Sequence, residues 1–237
     1  MDVIAPEYPG YGIYNDENAS EKTLVEDGII IVQHCIQNLG YNEENIVVIG
    51  RSLGTGVAIQ MGTIFKKLKA IVLISSFLSV RYVGEYIAGR TLSKFLPNVF
   101  RNEEFIRMVK APVLFIHGKK DTLVPWKASR TLFEKCNSLK MIHLGERMGH
   151  NTIDFKHDIF LPIMSFFGEK LKMEQFNIKS GITPKQKFYL LSEMDEFPYL
   201  AFPFVKVESE GKDGLLKTSR TSENVSTEYI ETLIDEI

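Results

Sequence analysis

Ile46-Val47-Val48-Ile49-Gly50-Arg51-Ser52-Leu53-Gly54-Thr55-Gly56-Val57-Ala58 decides how the rest of the chain is read. Four apolar, mostly β-branched residues run into Gly-x-Ser-x-Gly, and a segment compatible with helix follows at once. The pattern predicts a strand, a sharp turn and a helix, with Ser52 at the apex. Gly50 and Gly54 carry no Cβ where the backbone of such a turn closes on itself. The serine hydroxyl then stands at the end of a sheet, beside a helix N-terminus whose free N–H groups can bind a developing negative charge. The pentapeptide alone arises by chance on the order of 0.1 times in a chain of this length, so its weight comes from the flanking strand and helix.

Strands and helices alternate outward from this turn. Downstream, Ala70–Ile74, Pro112–Ile116 and Lys140–Leu144 are short, largely apolar runs. Near-continuous apolar strands of this kind are expected where helices cover both faces of a parallel sheet. Helices are expected from about 23 to 39, where Thr23 to Glu26 resembles a capping box, from Ser52 to about Phe65, over 128–136, and from Asp154 to about Glu169. Val3 to Glu7 reads as the end of a further strand, closed by Tyr8-Pro9-Gly10-Tyr11-Gly12. Residues 76–110 interrupt the alternation and hold Phe77, Tyr82, Tyr86, Phe95, Phe100 and Phe105, read either as core or as the lining of an acyl pocket.

The expectation for organisation is an α/β domain over 1–170 and a C-terminal extension over 171–237. The extension holds 12 acidic and 8 basic residues and little to bury from 206 to 227, and is expected to be partly disordered. A net charge of −2 argues against bulk attraction to nucleic acid. Two cysteines, Cys35 and Cys136, make no disulfide framework and fit a reducing, cytoplasmic setting. The first residues do not read as a signal peptide, and no run reaches transmembrane length. Asn18 and Asn224 match the glycosylation acceptor pattern, which has no consequence without secretion.

A serine hydroxyl needs a base within hydrogen-bond reach, and an imidazole base needs a carboxylate on its other nitrogen. In open α/β sheets, sites gather beyond the carboxyl ends of the strands. Ser52, Asp121 and His150 each follow a different strand, in the order nucleophile, acid, base. His117 precedes the acid and is read as bonding its loop backbone. His143 lies within a strand, and His34 and Cys35 on a helix; all three are read as structural. The spacing of His150, Asp154, His157 and Asp158 mimics metal ligands, but is read as a solvated first turn, so no metal and no cofactor is expected.

Tyr8-Pro9-Gly10-Tyr11-Gly12, Gly50-Arg51-Ser52-Leu53-Gly54, Phe115-Ile116-His117-Gly118-Lys119-Lys120-Asp121 and Gly149-His150-Asn151 resemble the α/β-hydrolase superfamily, and more closely the alpha/beta hydrolase domain-containing protein 17 family. The resemblance covers about residues 3–170. It implies a mostly parallel sheet with helices on both faces, Ser52 as nucleophile, Asp121 as acid, His150 as base and the Leu53 N–H as an oxyanion donor. It also implies an acyl ester or thioester substrate, including lipidated proteins, with peripheral membrane contact. The family places a His-Gly loop and further strands before the Tyr-Pro-Gly-Tyr-Gly segment, so a domain lacking its first strands is expected. Two other readings of the same residues are a catalytically impaired binding or scaffold protein and a serine aminopeptidase-like hydrolase.

Overall fold

The computed structural model describes residues 2–12 and 19–173. The extension expected from 171 onward lies, but for its first three residues, outside the described residues. Four parallel strands form one sheet in the order β1-β2-β3-β4: Val47–Arg51, Ala70–Ile74, Val113–Gly118 and Lys140–Gly145. Each strand therefore pairs with the next in sequence, with Gly50 beside Leu73, Leu73 beside Phe115, and Ile116 beside His143.

Helix α1, Glu21–Gln37, precedes the sheet. Its N-cap is Ser20, whose hydroxyl accepts from the Thr23 N–H at 3.1 Å, while Thr23 Oγ1 accepts from the Ser20 N–H at 2.9 Å. The reciprocal cap thus starts the helix two residues before the Thr23 start that the sequence suggests. Helix α2, Gly54–Ile64, follows the serine turn directly. Between β2 and β3 lie α3 (Val80–Ala88), α4 (Arg90–Ser93) and α5 (Asn102–Phe105); α6 (Lys127–Lys135) joins β3 to β4. A last helical run comprises α7 (Leu161–Ser165) between wide π-type turns at Phe155–Phe160 and Phe166–Lys170.

The period-2 alternation of a strand sorts the core into two layers. Ile71, Leu73, Val113 and Phe115 pack with Leu24, Ile29, Ile59, Met61 and Leu132 from α1, α2 and α6. Ala70, Val72, Ile74, Leu114 and Ile116 pack with Met148, Phe166 and Phe167 on the opposite face. Helices thus cover both faces, which is why β2 and β3 tolerate no polar residue before His117. Each large apolar side chain buried here contributes about 1.5–3 kcal/mol.

Two expectations are corrected. Val3 to Glu7 is exposed coil, not a strand; among the described residues no strand pairs with its backbone, and β1 stands at the edge of the described sheet instead. The aromatics of 76–110 do not act as one set. Phe77, Phe100 and Phe105 are buried core, whereas Tyr86 and Phe95 face outward.

Candidate active site

Ser52 sits at the end of β1 with φ 50°, in the left-handed region that a non-glycine residue seldom occupies. Its surroundings hold it there. The Ser52 N–H donates to Ile74 O at 2.9 Å, and the Ser52 carbonyl accepts from the Thr55 N–H at 2.9 Å and from Thr55 Oγ1 at 2.6 Å. A Cβ on Gly50 would lie 2.3 Å from Gly54 O and 2.9 Å from the Ala58 Cβ. The turn can therefore be this sharp only with glycine at position 50. Tyr8 closes the same end: its hydroxyl lies 3.0 Å from where a Gly54 Cβ would be, and burial pushes its phenol upward in pKa.

Asp121 and His150 are brought together from the loops after β3 and β4. His150 Nδ1 lies 2.7 Å from Asp121 Oδ2. The other carboxylate oxygen, Oδ1, accepts from the Leu123 and Val124 N–H groups at 3.0 and 2.8 Å. The two loops are knitted by backbone contact: the Lys120 N–H donates to Met148 O at 2.9 Å, and a Cβ on Gly118 would strike that same oxygen at 2.1 Å.

Burial works to raise the Asp121 pKa, but hydrogen bonds from His117, His150 and the Val124 N–H outweigh it and hold the carboxyl far below the ordinary carboxylate range. His117 is fully buried. Its Nε2 lies 3.0 Å from Val124 O and 3.3 Å from Asp121 Oδ2, and its Nδ1 lies 2.6 Å from Ser129 Oγ. Ser129 in turn lies 2.6 Å from Ser76 Oγ. Two acceptors around Nε2 place the proton there, so the Ser129 hydroxyl donates to Nδ1. The acid thus rests on a buried chain of Ser76, Ser129 and His117, with His150 on its open side.

One residue here was not singled out from the sequence. Arg51, a free position of Gly-x-Ser-x-Gly, sends its Nη2 to the His150 carbonyl at 2.5 Å and to Asn151 Oδ1 at 2.8 Å. Burial lowers its pKa and Asp121 raises it. The residue preceding the serine therefore ties the serine turn to the histidine loop. Its identity is visible in the motif, but its partner, about a hundred residues away, is not.

The remaining candidates lie apart from this group. His143 on β4 has a buried Nε2 without a hydrogen-bond partner among the described residues, and burial pushes its pKa down against Asp158. His157 and Asp154 pair with each other at 2.8 Å, exposed, while Asp158 Oδ2 accepts from the Asp154 N–H at 2.9 Å.

A parallel sheet sandwiched by helices, with a strained serine between strand and helix, defines an α/β hydrolase. The chain belongs to the serine hydrolase (FSH1) family, whose family model matches residues 6–151. It is 29% identical over 175 residues to protein bem46 of Schizosaccharomyces pombe, covering 71% of this chain and 58% of that protein. It is 31% identical over 177 residues to a Saccharomyces cerevisiae protein described as an uncharacterized membrane protein, covering 72% and 62%. Alpha/beta hydrolase domain-containing protein 17C of Mus musculus is 25% identical, over 71% of this chain and 51% of that one. The chain thus spans between half and two thirds of the length of the curated relatives it matches. Among solved structures, mouse alpha/beta hydrolase domain-containing protein 10 shares the fold with a TM-score of 0.51 at 20% identity, over 70% of this chain and 76% of that one.

Proposed function

We propose that the chain carries the nucleophile, acid and base of a serine hydrolase that cleaves an ester or thioester through an acyl-enzyme. The observation that carries this reading is the 2.7 Å contact of His150 Nδ1 with Asp121, on the rim where Ser52 holds its left-handed turn. With Nδ1 committed to the carboxylate, His150 Nε2 is the atom that takes the proton as Ser52 Oγ attacks the acyl carbon. The Leu53 N–H, at the start of α2, receives the oxyanion. His150 then gives its proton to the departing alcohol or thiol. A water, deprotonated in turn by His150, attacks the acyl-enzyme, releases the acid and restores Ser52.

A long acyl chain, and a palmitoyl-protein thioester in particular, is the finer reading, supported by the resemblance to the domain-containing protein 17 family. A place at a membrane surface goes with it. Among the described residues no helix is long and apolar enough to cross a membrane, so that contact would be peripheral for the part of the chain described.

A fluorophosphonate probe should label the folded protein, and Ser52→Ala should abolish labelling while leaving circular dichroism unchanged. Folded wild-type protein that takes up no probe would overturn the reading.

A further inference from the structure

The segment between β2 and β3 presents an apolar surface. Among the described residues, fourteen large apolar side chains stand exposed, and five of them fall in eleven consecutive positions: Tyr86 51%, Ile87 58%, Leu92 62%, Phe95 85% and Leu96 38%. Single exposed apolar residues are ordinary, but a contiguous group of this kind marks a contact surface. Helix α3 rests on the core through Val80, Tyr82 and Val83, none of its residues being fully buried, and leaves Tyr86 and Ile87 exposed.

The segment is nevertheless built rather than loose. α3 and α4 fold into a hairpin. Arg81 donates from Nε and Nη2 to the Leu96 carbonyl at 3.1 and 3.0 Å. Leu96 seats on Gly84, where a Cβ would meet its Cδ1 at 2.1 Å. The outward side chains are therefore held outward by the hairpin itself. The charge of the segment also departs from that of the chain. Residues 80–96 hold Arg81, Arg90 and Lys94 against Glu85 alone, in a chain whose net charge is −2. Glu85 pairs with Arg90 at 3.5 Å, leaving Arg81 and Lys94 in excess.

The interleaving selects the partner. Lys94 adjoins Phe95, and Arg90 lies two residues before Leu92. The centre of a protein–protein interface is depleted in lysine. A lipid headgroup layer accepts both kinds of side chain, the apolar ones entering the acyl boundary while the basic ones snorkel to the phosphates. We propose that the α3–α4 hairpin docks the protein on an anionic lipid surface, with Ile87, Leu92 and Phe95 inserted and Lys94 and Arg81 at headgroup level. The proposal deepens the hydrolase reading and in its use rests on it. α3 leaves the sheet from the carboxyl end of β2, on the same rim as Ser52, so docking would bring acyl chains in the membrane to that rim.

Co-sedimentation of the full chain with phosphatidylcholine vesicles containing phosphatidylserine tests it. Wild type should partition to these vesicles, less so at high salt. Leu92→Ser with Phe95→Ser should weaken partitioning about a hundredfold. Lys94→Glu should weaken it roughly tenfold on anionic vesicles and hardly at all on pure phosphatidylcholine. All three positions are exposed, so the variants should keep the wild-type melting temperature and hydrolysis of a short water-soluble ester. Ser52→Ala should bind vesicles as wild type does, which separates this proposal from the catalytic one. A wild type that stays in the supernatant, or a double variant that sediments like wild type, would overturn it. So would a double variant that loses a protein contact with vesicle binding intact.

Discussion

Arg51 shows how a residue of no stated importance in a motif acquires a task from the fold. Its guanidinium bonds the carbonyl of His150 and the side chain of Asn151, so it fixes how far the histidine loop stands from the serine turn. Arg51→Gln keeps an N–H donor but on a shorter side chain that lacks the Nη2 group bonding both acceptors. On the proposed function it should lower kcat about ten- to a hundredfold with little change in KM, since displacement of the proposed base by an ångström costs on that order. The downfield Nδ1 proton of His150 should broaden or shift in the same variant, which loss of packing alone would not cause. Gly50 carries a different kind of constraint. An alanine methyl would overlap Gly54 O, so Gly50→Ala should cost roughly 3 kcal/mol or more of stability, measured as a lowered denaturation midpoint. The sequence pairs Asp121 with His150 because an imidazole base calls for a carboxylate, and the 2.7 Å contact matches that pairing; the roles proposed for them and for Ser52 rest on probe labelling. Arg51 could not be paired in this way, because its role depends on a carbonyl and a neighbour brought close only by the parallel stacking of four strands.

At the scale of elements, β2 and β3 were legible because helices on both faces require every position to be apolar. The burial of Phe77 and the exposure of Phe95 were not, since a phenylalanine in an irregular segment carries no period to say which way it points. Phe100 is buried only because α2 offers glycine at position 56, where a Cβ would sit 2.3 Å from its ring. Strand β1 makes its own prediction. Lys69 N–H donates to Ile46 O and Ser52 N–H donates to Ile74 O, so the even-numbered backbone groups of β1 turn toward β2. Those of Val47, Ile49 and Arg51 turn away, toward an edge that no described strand covers, and Ile49 is 54% exposed. Hydrogen exchange should therefore alternate along the strand, fast at 47, 49 and 51 and slow at 48, 50 and 52.

For the whole molecule, acid should be the vulnerable direction. Asp121 has its pKa depressed on folding, so the unfolded chain, with a carboxyl near the ordinary value of about 3.9, takes up a proton first. The stability it contributes is complete above that value and is lost as pH falls below it. His143, whose burial also lowers its pKa, acts earlier and with the same sign, as pH falls through about 6.5. Denaturation midpoints should fall in two stages toward acid. Asp121→Asn should be less stable at neutral pH but flatten the later stage, and His143→Phe should flatten the first. The order of the sheet reaches beyond equilibrium. Because β2, β3 and β4 each pair with the described strand made just before it, none of the three has to wait for a distant partner in order to join the sheet. The proposed chemistry is a different matter, since Ser52, Asp121 and His150 leave the ribosome in that order. At about 5–20 residues per second, the 98 positions separating the first from the last take about 5–20 s to synthesise. For that interval a nascent chain has its serine turn without the residue proposed as its base, so the proposed activity can arise only after β4 is made.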